Sequence, residues 1–342
     1  MNSKNNISIK DVARVSGVSV ATVSRIINNT GRFSKTTQKK VLKIIDDLGY
    51  EQNKLAVSLR SNKSHTVGIM VPDITNEFYS AIVKKCEQEL FSEGYSSIIC
   101  NTERSSERER AYAQVLAKHR VDGLITISSN VDTEHTNNAT RLPAVYIDRD
   151  PHSKDEYIVS SEHYRGGEMA TNFLLEHHLN PYLVMTKTKS SSTMERVYAF
   201  KDVLKANQLP NMDDRILQLN LTSDKFLENV PELDRFLKKL SKETTPAGIF
   251  GINDNVAYMI IRAAQRLQIK VPEQISVIGF DGSSFSEISA PKITTIVQDT
   301  DKIAVEACRV LVQQMNNQVD RKLPRVINIP VKLVVKESTK MI

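Results

Sequence analysis

The chain has no uninterrupted apolar run of about eighteen residues, the length a bilayer-spanning helix needs, so no membrane segment is expected. Its first residues, Met1-Asn2-Ser3-Lys4-Asn5-Asn6, lack the apolar stretch of a secretory signal, and a cytoplasmic protein is expected. Cysteine is scarce. Cys86, Cys100 and Cys308 are odd in number, far apart and without metal-ligand spacing, which argues against a disulfide framework and fits a reducing compartment. Each is expected to act as a small buried hydrophobe. The seven histidines (His65, His119, His135, His152, His163, His177, His178) show no ligand spacing either. No G-x-G-x-x-G opens a helix, no P-loop lysine is present, and there is no G-x-S-x-G elbow. The expectation is a protein that is not an enzyme and needs no metal or cofactor.

What the chain does have is a basic head. Residues 1–63 hold twelve Lys or Arg against four Asp or Glu, a formal charge of +8, and the remainder carries −2. Such asymmetry is the footprint of phosphate neutralisation. The head also carries capped, periodic helices, which a solvated basic tail would not. Ser8 precedes a first helix and Asp11 follows three residues later, as a capping box requires. Val12, Ala13 and Val15 read as its apolar face, and Gly17 suits the turn that follows. Ser19 caps a second helix with Val23, Ile26 and Ile27 at helical spacing. Its other face carries Val20, Ala21, Thr22, Ser24, Arg25 and Asn28: small residues, hydroxyls and one guanidinium, suited to close approach to DNA. This pattern is a helix-turn-helix with the second helix as reader. Ser34 opens a third helix with Val41, Leu42, Ile44, Ile45 and Leu48 as its apolar face and Gly49 as its stop. A short stretch capped by Asn53, running to Arg60, is marginal as an isolated helix and reads as a hinge.

From Thr66 the pattern becomes short apolar runs alternating with long helical ones. Strands are expected at 67–71, 95–100, 121–127, 144–147, 182–186, 216–219, 247–250, 275–279 and 293–297. Helices are expected from about 76 and at 106–118, 164–178, 195–206, 223–240, 254–268 and 301–315. Continuous apolar strands between helices indicate parallel sheets covered on both faces. So many strands favour two similar subdomains over one very wide sheet. Ligands of such sheets bind beyond the carboxyl ends of the strands. Asp73, Asn76, Phe78, Tyr79, Asp148, Arg149, Arg196, Asn253, Asp254, Asp281 and Gln298 all follow strand ends here. Carboxylates, amides, guanidinium and aromatic rings together suit a polyhydroxylated ligand. Asp73, Asn253 and Asp281 suit helix caps equally well.

These residues carry a family resemblance. Asp11-Val12-Ala13, Gly17-Val18-Ser19, Thr22-Val23-Ser24-Arg25, Leu48-Gly49-Tyr50 and Asn53-x-x-Ala56-x-x-Leu59 resemble the lactose-repressor (LacI/GalR) family. So do Val67-Gly68-Ile69-x-Val71-Pro72-Asp73-Ile74-x-Asn76-x-Phe78-Tyr79, Val121-Asp122-Gly123-Leu124-Ile125, Asn253-Asp254, Ile278-Gly279-Phe280-Asp281 and Thr294-Thr295-Ile296-x-Gln298. The resemblance spans essentially the whole chain. It implies an N-terminal all-α helix-turn-helix domain at 1–52, a hinge helix and linker at 53–63, and a periplasmic-binding-protein-like α/β body at 64–342. That body is expected to have two doubly wound parallel-sheet subdomains. The first is expected to take about 64–160 and 293–322, the second about 161–292 and 323–342.

The resemblance further implies a homodimer on a pseudo-palindromic operator, with Val20, Ala21 and Arg25 facing bases. Ser19, Thr22, Ser24 and Asn28 would hold phosphates or cap the helix. Asn53, Ala56 and Leu59 would belong to the hinge, Leu59 wedging into the minor groove. Asn76, Phe78, Tyr79, Asp148, Arg149, Arg196, Asn253, Asp281 and Gln298 would contact a sugar or sugar-phosphate effector. The implied function is repression of a carbohydrate-utilisation operon, relieved when the effector closes the cleft and the hinge melts. A catabolite control protein, with a phosphorylated carrier protein as corepressor, is the alternative. The final Glu337-Ser338-Thr339-Lys340 resembles that group, whereas Asp301 stands near an aromatic position of its partner-binding helix. Three departures from the family pattern stand out: Gln52 before Asn53, Ala199 after Tyr198, and the stretch from His177 to Pro181.

Overall fold

The computed structural model describes residues 7–50, 63–127, 142–148, 156–187, 190–210, 212–221, 229–320 and 322–340. It forms two compact units, one ending at Ser64 and the other starting at His65. The positions expected to form the hinge, Asn53, Ala56 and Leu59, together with Gln52 and Arg149, lie outside the described residues.

The first unit holds helices α1 (Ile9–Ser16), α2 (Val20–Ile27) and α3 (Lys35–Leu48). The backbone N–H and hydroxyl of Ser8 both donate to the Asp11 carboxylate, at 3.1 and 2.7 Å. Ser19 and Ser34 accept from the N–H groups of Thr22 and Thr37, at 3.1 and 3.0 Å. Gly17, at φ +70°, ends α1 in the left-handed conformation a side chain resists. The core is Val12, Ala13, Val23, Ile26 and Val41. Two residues expected in it are exposed, Val15 at 53% and Leu42 at 47%. At 3.6 residues per turn each sits about 110° from the centre of its helix's buried stripe, too far round to reach the core.

The second unit contains two six-stranded sheets. The first runs β11-β5-β4-β3-β1-β2 and the second β12-β10-β9-β8-β6-β7. In sequence these are β1 (Thr66–Val71), β2 (Ser96–Asn101), β3 (Gly123–Ile127), β4 (Ala144–Ile147), β5 (Tyr157–Ser161), β6 (Asn180–Thr186) and β7 (Ile216–Leu219). Then follow β8 (Ala247–Gly251), β9 (Ile275–Asp281), β10 (Thr294–Val297), β11 (Val326–Ile329) and β12 (Lys332–Val334). All pairings are parallel except β10 with β12. Helices α4 (Glu77–Ser92), α5 (Ser106–Lys118) and α11 (Thr300–Met315) serve the first sheet. The second sheet has α6 (His163–Glu176), α7 (Ser191–Ala206), α8 (Pro231–Leu240) and α9 (Asp254–Arg266), with a short α10 (Phe285–Ile288) beside α9. Strands β3, β4 and β8 are buried throughout, as strands covered on both faces must be.

The subdomain crossings differ from expectation. Thr294–Val297 pairs with Ile278–Asp281, so the 293–297 segment belongs to the second sheet and not the first. Val326–Ile329 pairs with Ile158–Ser161 and belongs to the first. Strand β5 and the two short strands β11 and β12 show no distinct apolar run in sequence. Of the helix expected at 223–240, residues 223–228 lie outside the described residues; the described helix starts at Pro231, whose missing N–H and fixed φ suit the first helical position.

Candidate functional site

On α2 the structure exposes Ala21, Arg25 and Asn28, whereas Val20, Thr22 and Ser24 are half-buried. Val20 also packs against the domain core, so it supports the helix as well as lining its outer face. Ser19 is exposed and fixes the helix start, its hydroxyl 2.9 Å from that of Thr22. Asn28 donates back to the Ser24 carbonyl at 2.9 Å. The outward surface is thus small side chains, hydroxyls, one amide and one guanidinium on a rigid, capped helix.

In the second unit the carboxyl ends of both sheets meet at a small pocket open to solvent, with a cavity volume of about 50 Å³. It is lined by Asn76, Phe78, Tyr79, Asp148, Arg196, Asn253 and Asp281, seven of the nine residues expected to contact an effector. Gln298 stands behind the lining and donates to Asp281 Oδ1 at 2.8 Å. Asp73 is spent elsewhere, accepting from Thr75 and pairing with Arg104 at 3.2 Å. Asn76 and Asn253 each cap a helix, accepting from Phe78 N and Val256 N at 3.0 Å. Capping fixes these two side chains at the pocket wall, so serving as a cap does not take them out of the lining.

Arg196 is the centre of the pocket. It is 5% exposed and its guanidinium carbon lies 3.5 Å from the centroid of Phe280. Nη1 donates to the Ile252 carbonyl at 2.7 Å, Nη2 lies 3.6 Å from Asp281 Oδ1, and Nε is buried without a partner among the described residues. Gly167 on α6 lets the helices close up: a Cβ there would come within 2.9 Å of the Arg196 carbonyl oxygen and 3.0 Å of Ala199 Cβ. Burial lowers the Arg196 pKa, against the neighbouring carboxylates that favour its charge.

The two carboxylates of the pocket differ. Asp281 is pushed up to about 7, chiefly by burial and further by Asp254 and Asp148, with Arg196 and Gln298 pulling the other way. Burial also raises Asp148, but His163, the Ser161 N–H and Arg196 together outweigh it and hold Asp148 below the ordinary carboxylate range. Both sit at positive φ, +52° for Asp148 and +115° for Asp281, a strain common where side chains are held for a ligand. Behind them Asp254 is pushed up to about 6 by burial, despite accepting from Thr295 and Ser283. Burial pushes the Tyr79 hydroxyl up to about 12, so it is a neutral donor at any ordinary pH.

Sequence reasoning missed Ser190, Ser192 and Thr193, which line the pocket at the start of α7. Ser190 N donates to Thr193 Oγ1 at 2.9 Å and Thr193 N to Ser190 Oγ at 3.2 Å, a closed capping box. The run of hydroxyls before Arg196 was the available signal. His163 was missed as well; it is 1% exposed and touches both Asp148 and Arg196. No group of His, Cys, Asp or Glu with metal-binding geometry occurs among the described residues. The tail Ser338 is a structural stitch, its hydroxyl donating to the Val277 carbonyl at 2.6 Å and accepting from Thr294 N at 2.8 Å.

A capped helix-turn-helix followed by a two-sheet body with a polar pocket at the strand ends defines a ligand-responsive DNA-binding regulator. Residues 8–53 match the model of bacterial regulatory proteins, lacI family, and residues 171–339 that of a periplasmic binding protein-like domain. The chain is 32% identical over 338 residues to the HTH-type transcriptional repressor PurR of Vibrio parahaemolyticus serotype O3:K6, covering 97% of this chain and 98% of that one. It is likewise 32% identical to the sucrose operon repressor of Streptococcus mutans serotype c, over 96% of this chain and 98% of the relative. A periplasmic binding protein/LacI transcriptional regulator from Alkaliphilus metalliredigens, solved with D-xylulofuranose, superposes with a TM-score of 0.71 at 26% identity, over 81% of this chain and all of that one. The chain belongs to the lacI family of bacterial regulatory proteins. It is a DNA-binding transcriptional repressor with an effector-binding body, and not an enzyme.

Proposed function

We propose that this repressor acts in the cytoplasm as a homodimer on a pseudo-palindromic operator of a carbohydrate-utilisation operon, and that an uncharged sugar in the pocket releases it. The observation that carries the ligand class is the set of pocket groups left uncommitted. Asp148 Oδ1 accepts three hydrogen bonds, from Ser160 Oγ, Ser161 N and His163 Nε2, and Oδ2 has no partner among the described residues. Asp148 is held ionised, so it can only accept; Arg196 Nε can only donate. A sugar hydroxyl serves both, and the rings of Phe78 and Tyr79 offer apolar surface to sugar C–H groups.

A sugar phosphate fits less well. The ionised Asp148 opposes a dianion, Arg196 is already engaged by Asp281, and the amides of Ser190 and Thr193 are taken by the capping box. A planar base would be held best between parallel rings, but Phe78 and Tyr79 meet edge to face, at 66°. On this reading Arg196, Asn253, Asp281 and Asp148 hold the sugar, Asn76, Phe78, Tyr79, Gln298 and Arg149 tune its identity, and α2 reads the operator. A thermal-shift panel of ribose, fructose, sucrose, their phosphates and purine bases tests it. A sugar at ~100 times its dissociation constant adds about 2.7 kcal/mol of stability, and Arg196→Met removes that response. Stabilisation by phosphates or purines alone would overturn the ligand class.

A further inference from the structure

His163 opens α6, and its side chain is 1% exposed, packed 5.9 Å from the ring of Phe280. A buried histidine commonly finds backbone partners, but both ring nitrogens of this one go to side chains that line the pocket. Nε2 lies 2.8 Å from Asp148 Oδ1, and Nδ1 lies 3.2 Å from Arg196 Nη2. The partners fix the chemistry. A guanidinium has donors only, so Nδ1 must accept; an ionised carboxylate has acceptors only, so Nε2 must carry the proton. Protonating the ring would set a second N–H against the guanidinium. In this geometry the imidazole is therefore the neutral Nε2–H tautomer. Asp148 stays ionised through the hydrogen bonds it accepts from His163 Nε2, Ser161 N and Ser160 Oγ and through the Arg196 charge, with no charge needed on His163.

We propose that His163 is a positioning residue of the pocket, a neutral relay that ties Asp148, at the end of the first sheet, to Arg196, on a helix of the second. The inference rests on the effector reading above for its functional consequence, but not for its geometry. The relay couples a guanidinium and a carboxylate without a direct salt bridge between them. Each thereby keeps one group uncommitted among the described residues, Arg196 Nε and Asp148 Oδ2, at a spacing the imidazole sets. His163 does not touch the effector on this account; it sets the register of the two groups that do. Glu195, Tyr79, Asp254 and Asp281 surround the same cluster, and none of them contributes a hydrogen bond to the ring among the described residues.

The test uses the full-length protein labelled with ¹⁵N-histidine and a two-bond proton–nitrogen correlation spectrum, with the His163 signal assigned by its loss in His163→Gln. The expected spectrum shows an unprotonated Nδ1 and a protonated Nε2 in a single tautomer. A protonated Nδ1, or averaging between tautomers, would overturn the relay. The second readout is the affinity for whichever of ribose, fructose or sucrose stabilises the wild type. His163→Phe keeps the ring and its packing but neither nitrogen, and is expected to weaken binding on the order of tenfold or more. His163→Gln restores a donor and an acceptor and is expected to stay within about threefold of wild type. Wild-type affinity in the Phe variant, or a Gln variant as weak as Phe, would reduce His163 to packing and overturn the proposal. If no sugar stabilises the wild type, the effector reading fails while the spectrum still decides the relay.

Discussion

Ser284 N donates to both carboxylate oxygens of Glu77, at 2.9 and 3.1 Å, and Ser284 Oγ donates to one of them at 2.6 Å. Glu77 opens α4 beside the first sheet, and Ser284 follows β9 of the second, so these three bonds join the two halves. Ser191 Oγ donates to the Asp148 carbonyl at 3.2 Å and spans the same divide further in. The described body is in a bridged arrangement: Glu77 stands between the lining residues Asn76 and Phe78, and the Ser191 bond ends on Asp148.

If those bridges help hold the ligand-competent form, cutting one should cost affinity without touching the ligand. Glu77→Ala, which removes all three bonds, is expected to weaken sugar binding roughly three- to tenfold, and Ser284→Ala, which removes only the Oγ bond, by less. The double variant should match Glu77→Ala, since losing the carboxylate already removes all three bonds, including the one Ser284 Oγ makes. Additive losses in calorimetric titrations would show that the two residues act separately.

The DNA face and the pocket should fail independently. Arg25→Ala is expected to lower affinity for an operator selected from random duplex by about 10- to 100-fold, the range of one bidentate base contact. The sugar-induced thermal shift should be unchanged. Leu59→Ala, at a position proposed for the hinge, should likewise weaken operator binding and leave sugar affinity nearly intact. Equal loss of both activities in either variant would contradict the division of labour.

Asp281 gives the body a pH signature. Its folded pKa of about 7 lies above that of an unfolded aspartate, so the folded chain holds the proton more tightly. That contribution is complete below the unfolded pKa of about 3.9 and is lost as pH rises to about 7. Asp254, pushed up to about 6, acts in the same direction. Asp148, held low, acts in the opposite one: its contribution is present above the unfolded pKa and disappears as pH falls through its folded value. Between about pH 5 and pH 8 the raised pair dominates, so the ligand-free melting temperature should fall as pH rises. Asp281→Asn should flatten that slope, and an unchanged slope would refute the assignment.

The helix-turn-helix was legible because its signals are local: Ser8, Ser19 and Ser34 at helix starts and Gly17 and Gly49 at stops needed no tertiary information. The sheets were legible where strands are buried on both faces and missed at β5, β11 and β12. Two of those are partly exposed edge strands, and the third, though buried, is a short run ending in two serines. The crossing of 293–297 into the second sheet was not legible, because the choice of neighbouring strand leaves no mark on apolar pattern. Strand ends pointed to most of the pocket, since the fold puts ligands there. His163 left no such trace: a lone histidine at a helix start looks the same whether or not its nitrogens meet Asp148 and Arg196.

Fluorescence anisotropy of the full-length protein on its selected operator, titrated with the sugar that stabilises it, measures the coupling of the two units directly. Release is the expected result, with operator affinity falling roughly 5- to 150-fold at saturating sugar, the usual range of such linkage. Operator affinity that stays constant while the sugar is bound would contradict it.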